Sequence, residues 1–206
     1  MSKRLFFLTG AYTFLFFAIL SYFVHKDLFT QVDFDATVRL QDNMPRRFDE
    51  LFSLLSMIGR FEPMVILLTV ILVIRKKLRG IIAFFLFGLL HVVEIFGKVF
   101  VDHLPPPHFL LRTEFPFEFP HFYVSTENSY PSGHAARAFF ITTLLFLFTY
   151  RSKHLSQNAK YTILAMLLVY DVLMAVSRVY LGEHWLSDVA GGALLGISFA
   201  LLSLAF

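Results

Sequence analysis

The chain has 206 residues, 57% of them hydrophobic and 27 of them Phe, with a mean hydropathy of +0.66. Soluble domains of this length seldom carry that much apolar surface, so the class is integral membrane protein. A net charge of only +3 with no basic patch excludes nucleic-acid binding, and the absence of cysteine excludes disulfides and thiolate metal sites.

Six apolar segments follow in chain order: Leu5–Val24, Pro63–Ile74, Ile81–Val101, Ala135–Tyr150, Tyr161–Tyr180 and Leu186–Phe206. The first is read as a retained span and not a cleaved signal, because it is long for a signal core and no small-x-small site follows it. The second is short alone and is expected to extend both ways, with Phe61 and Leu78 near its ends. Before it, "FDELFSLLSMIG" places apolar residues at 48, 51, 52, 54, 55 and 58, which fits one face of a helix lying in the membrane interface. No internal repeat is evident. The expected fold is all-α: one membrane-embedded domain over residues 1–206, a six-transmembrane helix bundle with an interfacial helix before the second span.

Lys and Arg set the expected orientation. Lys3 and Arg4, the link "RKKLR", and Arg151, Lys153 and Lys160 all fall on one side, which is therefore cytoplasmic and holds both termini. The other side has the segment 25–62, with basic and acidic groups mixed, the long loop 102–133, and the turn near 181–186.

Ionisable residues in spans are costly and usually face a bundle interior or a wet cavity. Glu94, Lys98, His134, Arg137, Asp171, Arg178 and Asp188 all lie in or at the ends of spans. Lys98, His134, Arg137, Arg178, His184 and Asp188 collect at the outer level of four helices. Glu94 precedes Lys98 by four residues, the favourable order for a helical ion pair, and is read as its partner. Asp171 is read as a buried hydrogen-bonding group and Trp185 as an interfacial anchor. His103, His108 and His121 show no metal-ligand spacing, so no metal site is expected.

Taken together, these groups have a chemistry. Ser132 and Gly133 precede a helix, whose first N–H groups and dipole form an anion site. Lys98 and Arg178 add positive charge, and Arg can grip phosphate through two parallel hydrogen bonds. His184 and Asp188 are one helical turn apart, so the carboxylate can hold the imidazole in one tautomer. His134 supplies a second imidazole able to protonate a leaving oxygen. These are the parts for phosphoryl transfer without a metal or cofactor.

At these residues the chain resembles the type 2 phosphatidic acid phosphatase superfamily. That family carries the motifs Lys-x6-Arg-Pro, Pro-Ser-Gly-His and Ser-Arg-x5-His-x3-Asp. The second is complete here as Pro131-Ser132-Gly133-His134, and the third as Ser177-Arg178, His184 and Asp188. The first departs from the pattern: Lys98 is followed by Pro105-Pro106, so Pro105 stands in the arginine's place. Arg112 and Arg137 are the candidate substitutes. Arg137 is favoured because it lies one turn beyond His134 on the same helix face.

The resemblance implies a phosphohistidine mechanism. His184 attacks phosphorus, Asp188 orients it, His134 protonates the leaving group, and Lys98, Arg178, Ser132 and Gly133 hold the phosphate oxygens. It also implies a lipid phosphate or isoprenoid diphosphate substrate, met at the outer face of the plasma membrane. Phosphotransfer to an acceptor other than water, and a catalytically weak protein that binds or moves lipid phosphates, are the competing readings. Oligomeric state is not legible.

Overall fold

The structure, a computed structural model, describes residues 2–75, 80–113 and 127–206. Most of the "RKKLR" link, with Leu78, and the middle of the long loop, with His121, lie outside them. Among the described residues every regular element is a helix: α1 (Lys3–His25), α2 (Thr30–Asn43), α3 (Asp49–Ile58), α4 (Phe61–Arg75), α5 (Gly80–Phe100), α6 (Gly133–Arg151), α7 (Gln157–Tyr180) and α8 (Leu186–Ala205), with 3-10 turns at Arg46–Phe48 and His108–Leu110. Each apolar segment of the sequence became one helix with ends close to those expected.

Helix α8 is the axis of the bundle, and α1, α5 and α6 pack along it. Its small residues let backbones approach. A Cβ on Gly192 would collide with the carbonyl oxygen of Ser132, and one on Gly196 with that of Ala136. Close packing of this kind is how membrane helices associate without a hydrophobic driving force between them. Ser198 Oγ ties α8 to α1 by donating to Gly10 O at 2.9 Å. The core between these helices includes Phe17, Leu68, Phe87, Leu90, Phe140 and Phe199.

The outer faces are apolar, with Phe16, Phe85 and Leu168 62%, 68% and 64% exposed, the surface that lipid rather than water tolerates. Four helices, α1, α5, α7 and α8, are long and apolar enough to cross a membrane, and the pair Arg46–Ile58 and Phe61–Val73, bent by 52°, makes a fifth if taken as one span. The protein is an integral membrane protein. The six spans expected are not reached on length and composition, because α6 opens with His134 and Arg137 in its first turns.

Helix α2 was not anticipated. Its buried stripe, Asp33, Thr37 and Gln41, is polar, while Val32 and Phe34 point outward. Gln41 Nε2 donates to Leu110 O at 2.7 Å and to Tyr180 O at 2.8 Å. Asp33 accepts from Ser187 N at 2.8 Å and from Ser187 Oγ at 2.6 Å. A search for apolar periodicity passes over a helix that docks through hydrogen bonds.

The two ends of the bundle differ. At one, Lys3 Nζ donates to Phe206 O at 2.9 Å and Arg151 lies over the Phe6 ring at 4.6 Å, so both chain ends sit with the α6–α7 connection. At the other, the connections α1–α2, α5–α6 and α7–α8 meet. There Asp102 N donates to His25 Nδ1 at 3.3 Å and Arg112 N to Leu181 O at 2.9 Å.

Candidate active site

The α7–α8 turn places His184 and Asp188. Gly182 has φ of 67°, a conformation that costs glycine little, and it reverses the chain after α7. Trp185 caps the start of helix α8, and its backbone N–H donates to Asp188 Oδ2 at 2.9 Å. The same oxygen lies 3.3 Å from His184 Nδ1. With Nδ1 held on the carboxylate, His184 Nε2 is the nitrogen left to act. Asp188 is wholly buried and His184 nearly so.

The α6 end brings up the second motif. Ser132 occupies the N-cap position, but its side chain makes no capping bond. Its N–H instead donates to Asp188 O at 3.0 Å, which fixes the start of α6 against α8. Ser132 Oγ, His134 Nε2 and Arg178 Nη2 are all buried without a hydrogen-bond partner among the described residues. Buried polar atoms are normally satisfied. Three exceptions come from the two complete motifs; the others are Ser56 Oγ, Arg60 Nη1 and Tyr170 Oη.

Charge converges on the same place. His134 feels the fields of Arg178, Arg137, His184 and Lys98. The ammonium of Lys98 makes no ion pair among the described residues; Glu94, expected as its partner, pairs instead with Arg137 Nη1 at 3.2 Å. Arg137 reaches Glu94 from α6 across the α5–α6 contact, and its Nε also donates to Gly59 O at 3.0 Å. The Glu94 carboxylate fills the space where a Cβ on Gly133 would lie, so a side chain there would have to displace the Glu94–Arg137 pair. Arg112 is engaged elsewhere. It donates to Met44 O at 3.3 Å and Gln41 O at 3.2 Å and stacks over the Tyr180 ring at 5.2 Å.

Three site neighbours escaped the sequence reading. Glu183 forms an ion pair with Arg178 Nη1, and Thr113 Oγ1 donates to its other oxygen at 2.6 Å. Burial works against ionisation of Glu183, but Arg178 and the Thr113 hydrogen bond outweigh it and hold its pKa below the ordinary carboxylate value. His103 Nδ1 lies 2.8 Å from Asp188 Oδ1, and Asp33 Oδ2 lies 3.7 Å from His103 Nε2. Glu183 adjoins His184 and His103 falls inside the first-motif window, so both carried a signal. Asp33 carried none. Asp171 and Trp185 have plain structural partners: Thr142 Oγ1 at 2.9 Å and Leu104 O at 2.7 Å respectively.

The protein-family model described as the PAP2 superfamily matches residues 78–206, which include every residue of the three motifs. The chain belongs to the PAP2 superfamily. Among curated relatives, this PAP2 protein is 30% identical to phosphatidylglycerophosphatase B of Bacillus subtilis (strain 168) over 125 residues, 60% of this chain and 55% of that one. It is 32% identical to probable lipid phosphate phosphatase beta of Arabidopsis thaliana over 95 residues, 38% of this chain and 45% of that one. It thus spans about half the length of the curated relatives it matches.

Among solved structures, the transmembrane PAP2-type phosphatidylglycerolphosphate phosphatase from Bacillus subtilis superposes with a TM-score of 0.75 at 23% identity, covering 94% of this chain and 93% of that one. That likeness establishes the shared fold. Aquifex aeolicus LpxE superposes with a TM-score of 0.64 at 26% identity, covering 85% of this chain and 96% of that one.

Proposed function

We propose that this PAP2 protein is a membrane phosphatase that hydrolyses a lipid phosphate or isoprenoid diphosphate through a phosphohistidine on His184. The observation that carries the reading is the His184–Asp188 pair set among the unpartnered atoms of Ser132, His134 and Arg178. Lipid-phosphatase names among its relatives support the same class.

In the first step His184 Nε2 forms the P–N bond as the bond from phosphorus to the leaving oxygen breaks, and that oxygen takes a proton from His134. Asp188 stabilises the positive charge growing on His184. Arg178 Nη2, Lys98, Ser132 and the first N–H groups of α6 take the negative phosphate oxygens, where preorganised donors act most strongly on the transition state. In the second step water attacks phosphorus, gives a proton to His134, and the P–N bond breaks. The chain's residues supply each part without a metal or cofactor. Arg137, one turn beyond His134, is the proposed substitute for the arginine displaced by Pro105. Arg112, whose guanidinium donates to the carbonyls of Gln41 and Met44, is read as holding the loop.

The finer topology belongs to the same reading. Helix α6 is a sixth span, because it runs along α8 and α7, and α3 lies in the interface before the α4 span. The end with Lys3, Arg151 and the chain termini is cytoplasmic by the positive-inside rule. The site then opens on the outer face of the plasma membrane at the depth of lipid headgroups. The test is phosphate release from phosphatidic acid, phosphatidylglycerol phosphate and undecaprenyl diphosphate in mixed micelles with EDTA present, together with acid-labile phosphoenzyme trapping. Release and trapping in the wild type, both absent in His184→Ala, are expected. No release from any of them, or loss of activity on adding EDTA, overturns the reading.

A further inference from the structure

The carboxylate that orients His184 is shared. Asp188 Oδ2 serves His184 at 3.3 Å, while Oδ1 lies 2.8 Å from Nδ1 of a second buried imidazole, His103, the closer of the two contacts. Behind His103 stands Asp33, with Oδ2 3.7 Å from Nε2, itself held by the N–H and hydroxyl of Ser187. Imidazole and carboxylate thus alternate: His184, Asp188, His103, Asp33. The chain draws on the α7–α8 turn, α8, the α5–α6 loop and α2.

His103 is clamped as a built part of the site. Its N–H donates to Asn128 Oδ1 at 3.1 Å, and its carbonyl accepts from Ser129 N at 2.9 Å and Ser129 Oγ at 3.1 Å. It is 7% exposed, and Asp33 and Asp188 are 1% and 0% exposed. Two buried carboxylates with no cation between them would carry a heavy desolvation cost. A protonated His103 donates to Asp188 from one nitrogen and faces Asp33 with the other, offsetting both charges.

We propose that His103 is a positioning residue for the nucleophile: by donating to Asp188 Oδ1 it turns the other carboxylate oxygen onto His184, with Asp33 keeping His103 charged. This rests on the phosphohistidine reading of His184. The loop that carries a phosphate-binding arginine in the family's first motif supplies here an imidazole for the orienting aspartate.

The groups facing His103 are Asp188 on α8, Asp33 on α2, Asp27 in the α1–α2 turn, and the Tyr130 ring before α6 at 6.5 Å. Burial opposes the charge on His103, but the Asp188 hydrogen bond and the three carboxylates outweigh it and raise its pKa above the ordinary 6.5. The charged form is therefore complete below the ordinary value and is lost as pH rises through the raised one.

The test compares His103→Leu, which removes the donor, with His103→Asn, which keeps a neutral N–H near the place of Nδ1. Phosphatidic acid in mixed micelles is the substrate. We expect His103→Leu to lower kcat by roughly 10–100-fold, the range seen when partners that orient site ligands are removed, with KM within about twofold. His103→Asn, which keeps a donor for Asp188 Oδ1, recovers most of that loss. Equal kcat in wild type and His103→Leu, or equal damage in both variants, overturns the assignment. A second readout needs no activity: nitrogen-15 NMR of the histidine rings in detergent, with His103 assigned by its variant. The His103 ring should titrate above ordinary histidine in the wild type and fall in Asp188→Asn. A ring indifferent to Asp188→Asn also overturns the inference, and does so even if the phosphatase reading stands or fails on its own assay.

Discussion

Arg178, wholly buried at the end of α7, is ion-paired with Glu183, the residue immediately before His184. One arm of the guanidinium is spent on that carboxylate and Nη2 has no partner. Glu183 therefore aims Arg178 while subtracting a charge from the proposed anion cradle. We expect Glu183→Gln, which keeps an acceptor oxygen but removes the charge, to bind inorganic phosphate and vanadate several-fold more tightly, read as product and analogue inhibition. Weaker inhibition would show that aiming Arg178 outweighs the charge it subtracts.

The same pair makes acid stability predictable. The folded pKa of Glu183 lies below its ordinary 4.5, so the bridge contributes fully above that value and is lost as pH falls through the depressed one. Thermal unfolding in detergent, scanned downward from pH 5, should show a drop in wild type that is smaller in Glu183→Gln.

Asp188→Asn tests the orientation of the nucleophile. An amide in place of the carboxylate neither stabilises the growing positive charge on His184 nor fixes its tautomer. The comparable change in a serine protease lowers kcat by about 10,000-fold, and a loss on the order of 100–10,000-fold is expected here with KM little altered. Retention of more than a tenth of the wild-type kcat would count against a nucleophilic His184.

Arg137 and Arg112 separate on both activity and stability. Arg137→Ala strands Glu94 in a buried site, a loss of about 3–5 kcal/mol where a buried pair is broken, and should abolish phosphate release. Adding Glu94→Gln relieves the stranded charge: stability returns in the double variant and activity does not. Arg112→Ala should keep near-normal kcat and lose only stability from its carbonyl and ring contacts. If Arg112→Ala abolishes activity and Arg137→Ala/Glu94→Gln does not, the assignment of the displaced first-motif charge is reversed.

Gly196 and Gly88 make a matched pair. A Cβ at Gly196 would strike the α6 backbone at Ala136, whereas one at Gly88 has nothing within 4 Å. Gly196→Val should push α6 from α8, part His134 from His184, and cost both activity and thermal stability. Gly88→Ala should be neutral or stabilising by up to about 1 kcal/mol through helix propensity.

The helices that carry apolar runs were legible because each such run is a local property of the sequence. The His184–Asp188 pair was legible for a similar reason: a four-residue spacing on a helix puts two side chains on one face whatever surrounds them. The same local rule misled at Glu94. Its spacing to Lys98 permitted an ion pair, yet Arg137 from another helix reaches it first. Helix α2 fell outside the rule altogether, since its buried face is Asp33, Thr37 and Gln41.

Membrane residence, the run of apolar helices, the two complete motifs and the substitution at Pro105 all follow from the order of residues along the chain, because periodicity and short-range spacing encode them. Which charge meets which does not. Glu94 with Arg137, Glu183 and Thr113 around Arg178, and His103 and Asp33 behind Asp188 join residues from separate helices and loops. Their partners are chosen by how α2, α5, α6 and α8 pack, and by the cost of leaving any buried charge alone. The histidine at the head of α6 was visible from its motif. The second imidazole behind the aspartate came into view only once a loop residue 85 positions away in sequence was folded against it.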